Sequence, residues 1–257
     1  MNLPSMSLDG KVAFVTGTGS GIGRAISIGL AQSGADVAVT ELPDKLDAAR
    51  ETVREIEKTG RRGFAVALDV SKLPMIGEAV DATLRHFGRI DILINNAGIN
   101  IPKLAVDVTE AEWDKIMAID LKGVFFTTQA AAKKAFIPQG GGKVVNIASQ
   151  MGVVGYTYRS AYCAAKAGVI NLTRVLAFEC AKLKINVNTI APTFIDTPLT
   201  RPMFENKEFY NDVLSRIPMG RLATPEDIVG GAVYLSSPAA DMVTGHTLLI
   251  DGGWTAV

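Results

Sequence analysis

Two histidines and two cysteines are all the chain offers of the soft metal ligands and redox side chains. His86 and His246 lie far apart without ligand spacing, so a zinc site is not expected. Cys163 and Cys180 both fall within one helical pattern. That suits a reducing compartment and supplies no disulfide framework, and Cys163 reads as a small packing residue, not a nucleophile. Charge of one sign is missing too. The 26 basic residues balance the 26 acidic ones, so no global field recruits nucleic acid or an anionic membrane. No apolar run reaches the roughly 18 residues of a membrane span. The start, Met1-Asn-Leu-Pro-Ser-Met6, lacks a basic stretch followed by an apolar one, so no signal peptide is expected. These absences predict a soluble, cytoplasmic protein with no nucleic-acid, membrane or metal partner.

What is present is apolar, at 48% of residues, and it alternates in type. Short β-branched runs at Val12–Thr16, Val37–Thr40, Phe64–Leu68, Ile90–Asn95, Lys143–Ile147, Ile185–Ala191 and Leu248–Ile250 read as strands. Most lack polar alternation, as expected of strands covered on both faces. Amphipathic stretches at Ile22–Ser33, Leu46–Lys58, Ile76–Phe87, Ala111–Phe136, Ala161–Leu183 and Pro225–Leu235 read as helices. Thr224-Pro225-Glu226-Asp227 is a helix start: a hydroxyl cap, a first-turn proline and acids facing the dipole. Without a linker, repeat or composition break, residues 1–257 form one α/β domain around a parallel sheet of seven strands. The segment Thr193–Pro218 carries Pro198, Pro202 and Pro218 and follows a strand. A connection that long at the carboxyl end of a strand reads as a lid over a ligand crevice.

Val12–Thr16 runs directly into Gly17-Thr-Gly-Ser20-Gly21-Ile22-Gly23 and then into a helix. Strand, glycine turn and helix amino terminus together make an anion site: free N–H groups and the dipole face a pyrophosphate, and missing β-carbons let the backbone approach. The spacing is Gly-x-x-x-Gly-x-Gly, not the common dinucleotide fingerprint. Glu41 ends the second strand, where a carboxylate accepts from ribose hydroxyls and repels a 2′-phosphate. That favours NAD over NADP, with Lys45 close enough to weaken the preference. Asp69-Val70 and Asn96-Ala97-Gly98 close the third and fourth strands on the same side, with groups suited to adenine and to bracing the backbone.

Tyr162 and Lys166 lie one helical turn apart with Ser149 shortly upstream. An ammonium at i+4 stabilises phenolate, and an oxidised nicotinamide would add to that positive field. Tyr162 would then take or give the alcohol proton while Ser149 holds the substrate oxygen. The ordered set of Thr16-Gly-x-x-x-Gly21-Ile-Gly23, Asn95-Asn-Ala-Gly98, Ser149, Tyr162-x-x-x-Lys166 and Ala191-Pro192 resembles the short-chain dehydrogenase/reductase family over nearly the whole chain. The resemblance implies a single Rossmann-like, doubly wound domain with strand order 3-2-1-4-5-6-7. It also implies that Lys166 binds the nicotinamide ribose, that Pro192 and Thr193 lie along the coenzyme, and that Ile195 and Thr197 meet the carboxamide. A homotetramer built on the two long helices is implied as well.

Two departures stand out. Asp120 replaces the family's asparagine, the fourth catalytic residue, whose backbone carbonyl holds a water leading to the lysine. That carbonyl survives, but the carboxylate is free to pair with Lys166 and so alter the pH dependence. Thr193 stands where the family favours glycine and either narrows the pocket or points outward. Asn100, Gln150, Met151, Tyr156 and Arg159 are the candidate substrate contacts; Arg159 or Lys103 is a candidate carboxylate ligand, against the commoner reading of each as a solvated surface cation. Sequence flavour around Gly220–Pro225 and Asp251–Trp254 resembles the family's polyol and sugar-acid dehydrogenases. The reading is an NAD-dependent alcohol/ketone oxidoreductase for a small polyol, sugar or sugar acid. The alternatives are a reductase of larger apolar ketones, of steroid or acyl-thioester type, and a non-catalytic NAD-binding regulatory protein.

Overall fold

The computed structural model describes residues 4–198 and 200–256; Met1–Leu3, Val257 and Leu199, inside the expected lid, lie outside them. Seven strands, β1 (Val12–Thr16), β2 (Asp36–Glu41), β3 (Gly63–Ala67), β4 (Ile92–Asn95), β5 (Gly142–Ile147), β6 (Ile185–Pro192) and β7 (Thr247–Ile250), pair in parallel in the order β3-β2-β1-β4-β5-β6-β7. The expected sheet and order are both present. Every residue of β1 is buried, which explains why Val-Ala-Phe-Val-Thr lacks alternation: helices cover both faces.

Three helices, α1 (Gly21–Gln32), α2 (Leu46–Glu57) and α3 (Leu73–Phe87), alternate with the first four strands. The expected single helix Ala111–Phe136 is divided into α4 (Glu110–Met117), a π-helical turn Ala118–Gly123, α5 (Val124–Ala131), a second π turn Ala132–Phe136, and α6 (Ile137–Gln139). After β5 come α7 (Ser160–Cys180), α8 (Lys207–Ser215) and α9 (Pro225–Ser236). One core packs β1, β2 and β4 residues with α1, α2 and α9; a second packs the sheet's other face with α3, α5 and α7. The order reverses between β1 and β4, so their carboxyl ends diverge and open a crevice. The 193–218 segment is more structured than expected. It contains a 3-10 turn, Arg201–Glu205, and α8, started by Asn206, whose Oδ1 accepts from Glu208 N at 3.0 Å and Phe209 N at 3.1 Å.

A chain of buried polar side chains ties the sheet to the helices beside the crevice. Asn95 Nδ2 donates to Thr128 Oγ1 (2.9 Å) and to Asn146 Oδ1 (2.8 Å), Asn146 Nδ2 donates to Thr173 Oγ1 (2.9 Å), and Thr173 and Thr189 share a hydroxyl bond of 2.7 Å. Because all of these lie out of reach of water, removing one member strands its neighbours. Asn146→Ala is expected to lower stability by about 1–3 kcal/mol, read as a lower urea midpoint at unchanged slope.

Candidate functional site

The crevice above the carboxyl ends of the strands is a cleft of about 590 Å³. Its floor begins at the glycine turn. Thr16 Oγ1, at the end of β1, accepts from Asn96 N (2.9 Å) and Ala97 N (3.0 Å), while Asn96 Nδ2 donates to the carbonyls of Thr16 (2.9 Å) and Gly17 (2.8 Å). Asn96 thus clamps the turn from the β4 side. A β-carbon at Gly23 would lie 2.1 Å from Gly17 O, so this turn closes only around glycine. Ser20 precedes α1 in extended backbone, leaving the helix's first N–H groups facing the cleft. That is the donor set a pyrophosphate needs.

Glu41 reaches across from β2: Oε2 accepts from Gly19 N at 2.8 Å and Oε1 from Leu42 N at 3.0 Å. Its carboxylate therefore sits in the turn itself, and a β-carbon on Gly19 would approach it at 2.8 Å. Asp69 accepts from Ser71 N and still lines the cleft with Val70, Ala97 and Gly98. The residues present fit a nicotinamide dinucleotide: a glycine cradle for phosphates, a carboxylate for ribose, and small side chains between. Leu42, Ala48 and Met203 also line the cleft. Met203 comes from the expected lid; Leu42 and Ala48 carried no signal as contacts, because isolated apolar residues beside a turn have no distinctive pattern.

At the far end the catalytic candidates converge. Ser149, Tyr162, Lys166 and Asp120 all line the cleft. Asp120 belongs to the first π turn, whose extra residue carries the side chain inward until it is fully buried. Its Oδ1 accepts from Ile99 N at 2.9 Å, and its Oδ2 forms an ion pair with Lys166 Nζ at 3.1 Å. Lys166 Nζ also donates to Ile147 O at 3.1 Å and sits 5.5 Å from the Tyr162 ring centroid. Gly98 is glycine for the same reason, since a β-carbon there would lie 2.8 Å from Asp120 Oδ2.

The electrostatics differ from expectation. Burial pushes the Tyr162 phenol up; Lys166 pulls it down, but Asp120 opposes Lys166, and a hydrogen bond with Ser149 and the charge of Arg159 help less. The phenol is therefore raised, not acidified, by the protein's own groups. For Lys166, burial works against the ammonium, yet the Asp120 carboxylate, and Tyr162 when ionised, leave its pKa above the ordinary value. Burial pushes Asp120 up against the pull of Lys166 and the Ile99 N–H.

Pro192, Thr193, Ile195 and Thr197 line the side leading to the lid, and Thr193 Oγ1 is a buried atom with no partner. Of the substrate candidates, Asn100 and Met151 line the cleft. Tyr156 does not: its hydroxyl donates to Asp212 on α8 at 2.6 Å and its ring packs on Phe194 and Trp254. Lys103 pairs with Glu112 at 2.8 Å. Gln150 and Arg159 are buried and, like Tyr156, do not line the cleft. Among the described residues no cluster of three His, Cys, Asp or Glu forms a metal site, and no helix is long and apolar enough to cross a membrane.

Residues 17–255 match the family model described as enoyl-(acyl carrier protein) reductase. The chain is 41% identical over 257 residues to 2-dehydro-3-deoxy-D-gluconate 5-dehydrogenase of Escherichia coli K12, covering 100% of both chains. It is 41% identical over 249 residues to D-threitol dehydrogenase of Mycolicibacterium smegmatis (96% of this chain, 94% of the relative). It is 38% identical over 245 residues to NAD-dependent glycerol dehydrogenase of Listeria innocua (95% and 94%). Among solved structures, a short-chain type dehydrogenase/reductase from Mycobacterium marinum superposes with a TM-score of 0.93 at 34% identity, over 98% of each chain. A gluconate 5-dehydrogenase from Burkholderia cenocepacia, in complex with NADP and tartrate, gives 0.93 at 32% identity, again over 98% of each. With the glycine turn, Ser149, Tyr162 and Lys166 gathered in one cleft and relatives this similar over their full lengths, the chain belongs to the short-chain dehydrogenase/reductase family.

Proposed function

We propose that the protein is an NAD-preferring oxidoreductase that interconverts a secondary alcohol and a ketone on a small polyol, sugar or sugar acid. The observation that carries this is the convergence of Ser149, Tyr162 and Lys166 at one end of a cleft whose other end is the glycine turn. A bound nicotinamide supplies the hydride acceptor or donor. The protein supplies the rest. Ser149 Oγ holds the substrate oxygen, and Tyr162 Oη takes the hydroxyl proton in oxidation or returns it in reduction. Lys166 keeps a positive charge beside the phenol and binds the nicotinamide ribose, with Asp120 fixing its ammonium at 3.1 Å. Polyol and sugar-acid dehydrogenases among the relatives support the substrate class.

The Glu41 carboxylate favours a free ribose 2′-hydroxyl over a 2′-phosphate, although a related structure holds NADP. The 193–218 segment, with Met203 and Thr200 on the cleft, serves as its lid. Phe178 on α7, 87% exposed, and Trp113 on α4, 40% exposed, support the tetramer expected on these helices. Two free cysteines suit a cytoplasmic setting.

Three measurements test this reading. A panel of polyols, sugar acids and apolar ketones, followed by NADH absorbance, is expected to yield turnover on hydroxylated substrates, and Tyr162→Phe to lower it by about 10²- to 10⁴-fold while NADH still binds. Removing the charge with Glu41→Ala is expected to raise the NADP-to-NAD ratio of kcat/KM by about 10-fold or more. Finally, alcohol oxidation needs the deprotonated phenol, so its rate climbs with pH through the raised Tyr162 pKa. Asp120→Asn removes the charge that opposes Lys166, and the rising limb of kcat/KM is expected to move to lower pH. Superimposable profiles would contradict that role.

A further inference from the structure

Arg159 immediately precedes α7, three residues before Tyr162, and is only 4% exposed. A buried guanidinium normally has an acid or several carbonyls around it. Here Nη1 donates to the neighbouring Tyr158 carbonyl at 3.2 Å, Nη2 to the Met203 sulfur at 3.3 Å, and Nε to nothing. A thioether is a weak acceptor. Among the described residues no carboxylate forms an ion pair with Arg159. Two acids tied to its neighbours are already committed: Asp212 accepts from Tyr156 and pairs with Arg216 at 3.0 Å, and Glu112 pairs with Lys103. Arg159's other titratable neighbours are Tyr156, Tyr162 and Cys163, all neutral when protonated.

The local backbone is built to keep the cation there. Tyr158 takes a left-handed conformation, φ 60°, which a tyrosine seldom adopts. Its carbonyl accepts both from Arg159 and from Lys103 N, at 3.0 Å. Arg159 does not itself line the catalytic cleft, but Met203, which touches Nη2, does, so moving the Met203 side chain is what would open the guanidinium to it. A second orphan lies beside the other catalytic residue. Gln150, next to Ser149, is 1% exposed, and neither its amide oxygen nor its amide nitrogen has a partner.

We infer that Arg159 is the anchor for a substrate carboxylate, displacing the Met203 sulfur as acceptor, with Gln150 taking a neighbouring hydroxyl. This rests on the proposed function and narrows it: the substrate is a sugar acid, not a neutral polyol. The cation becomes paired only when the acid is bound. A planar carboxylate also offers the two parallel acceptors that a guanidinium fork requires. Lys103 offers no such anchor, because Glu112 already neutralises it.

The test compares wild type, Arg159→Gln and Arg159→Lys on four- to six-carbon aldonic and deoxyulosonic acids and on alditols of equal chain length. NADH affinity is measured by fluorescence for each protein. Wild type is expected to prefer the acids. Arg159→Gln is expected to lower the acid-to-alditol ratio of kcat/KM by about 10- to 100-fold, mostly through KM, with NADH affinity kept. Arg159→Lys is expected to recover part of the ratio, since charge returns without the fork. An unchanged ratio, or a wild type that favours alditols, overturns the anchor but leaves the oxidoreductase reading standing. Turnover of neither series by wild type that binds NADH overturns both. A ratio that falls only with lost NADH affinity assigns Arg159 to structure and also overturns the anchor.

Discussion

An ammonium held out of water governs this site. Lys166 Nζ is buried against Asp120 and the Ile147 carbonyl, and the elements that deliver those partners are arranged around it. β5 supplies the carbonyl, the first π turn supplies the carboxylate, and α7 supplies the lysine with Tyr162 one turn earlier. Gly98 must be glycine to pass over the pair. A buried ion pair adds little net stability once desolvation is counted, but losing either member is costly. Its significance is positional: one charge is fixed beneath the phenol.

The carboxylate changes the chemistry that the lysine alone would give. A neutral amide at position 120 would leave the ammonium's field on Tyr162 undiminished, whereas Asp120 offsets it and burial then prevails. The phenol is held protonated more firmly, so the form from which carbonyl reduction starts persists to higher pH, although each phenol is a weaker acid. The positive ring of an oxidised nicotinamide would act on it in the opposite sense.

Much of this was legible in the order of residues. Unalternating β-branched runs marked strands covered on both sides, and Gly17–Gly23, Ser149, Tyr162 and Lys166 announced their roles through spacing. Other features were hidden for physical reasons. A π turn adds a residue without altering composition, so Ala111–Phe136 looked like one helix. The short α8 had only its Asn206 cap as a signal. Net acidity at Tyr162 depends on burial and on a third charge, neither of which spacing encodes. Arg159 read more readily as a solvated surface cation, because only folding shows that it is buried with no acid paired to it. Tyr156 looked like a pocket residue, but its hydroxyl is taken by Asp212.

The first π turn has a consequence for how this chain tolerates length changes. Six residues, Ala118–Gly123, span what an ordinary helix would cover with fewer. Excising one would collapse the bulge into an ordinary α turn and leave α4 and α5 in phase, because the wider turn is what absorbs the extra residue. Thr128 would keep its place beside Asn95, but the acid at 120 would lose the displacement that brings it to Lys166. The seat of that carboxylate therefore depends on the length of this stretch as well as on its composition.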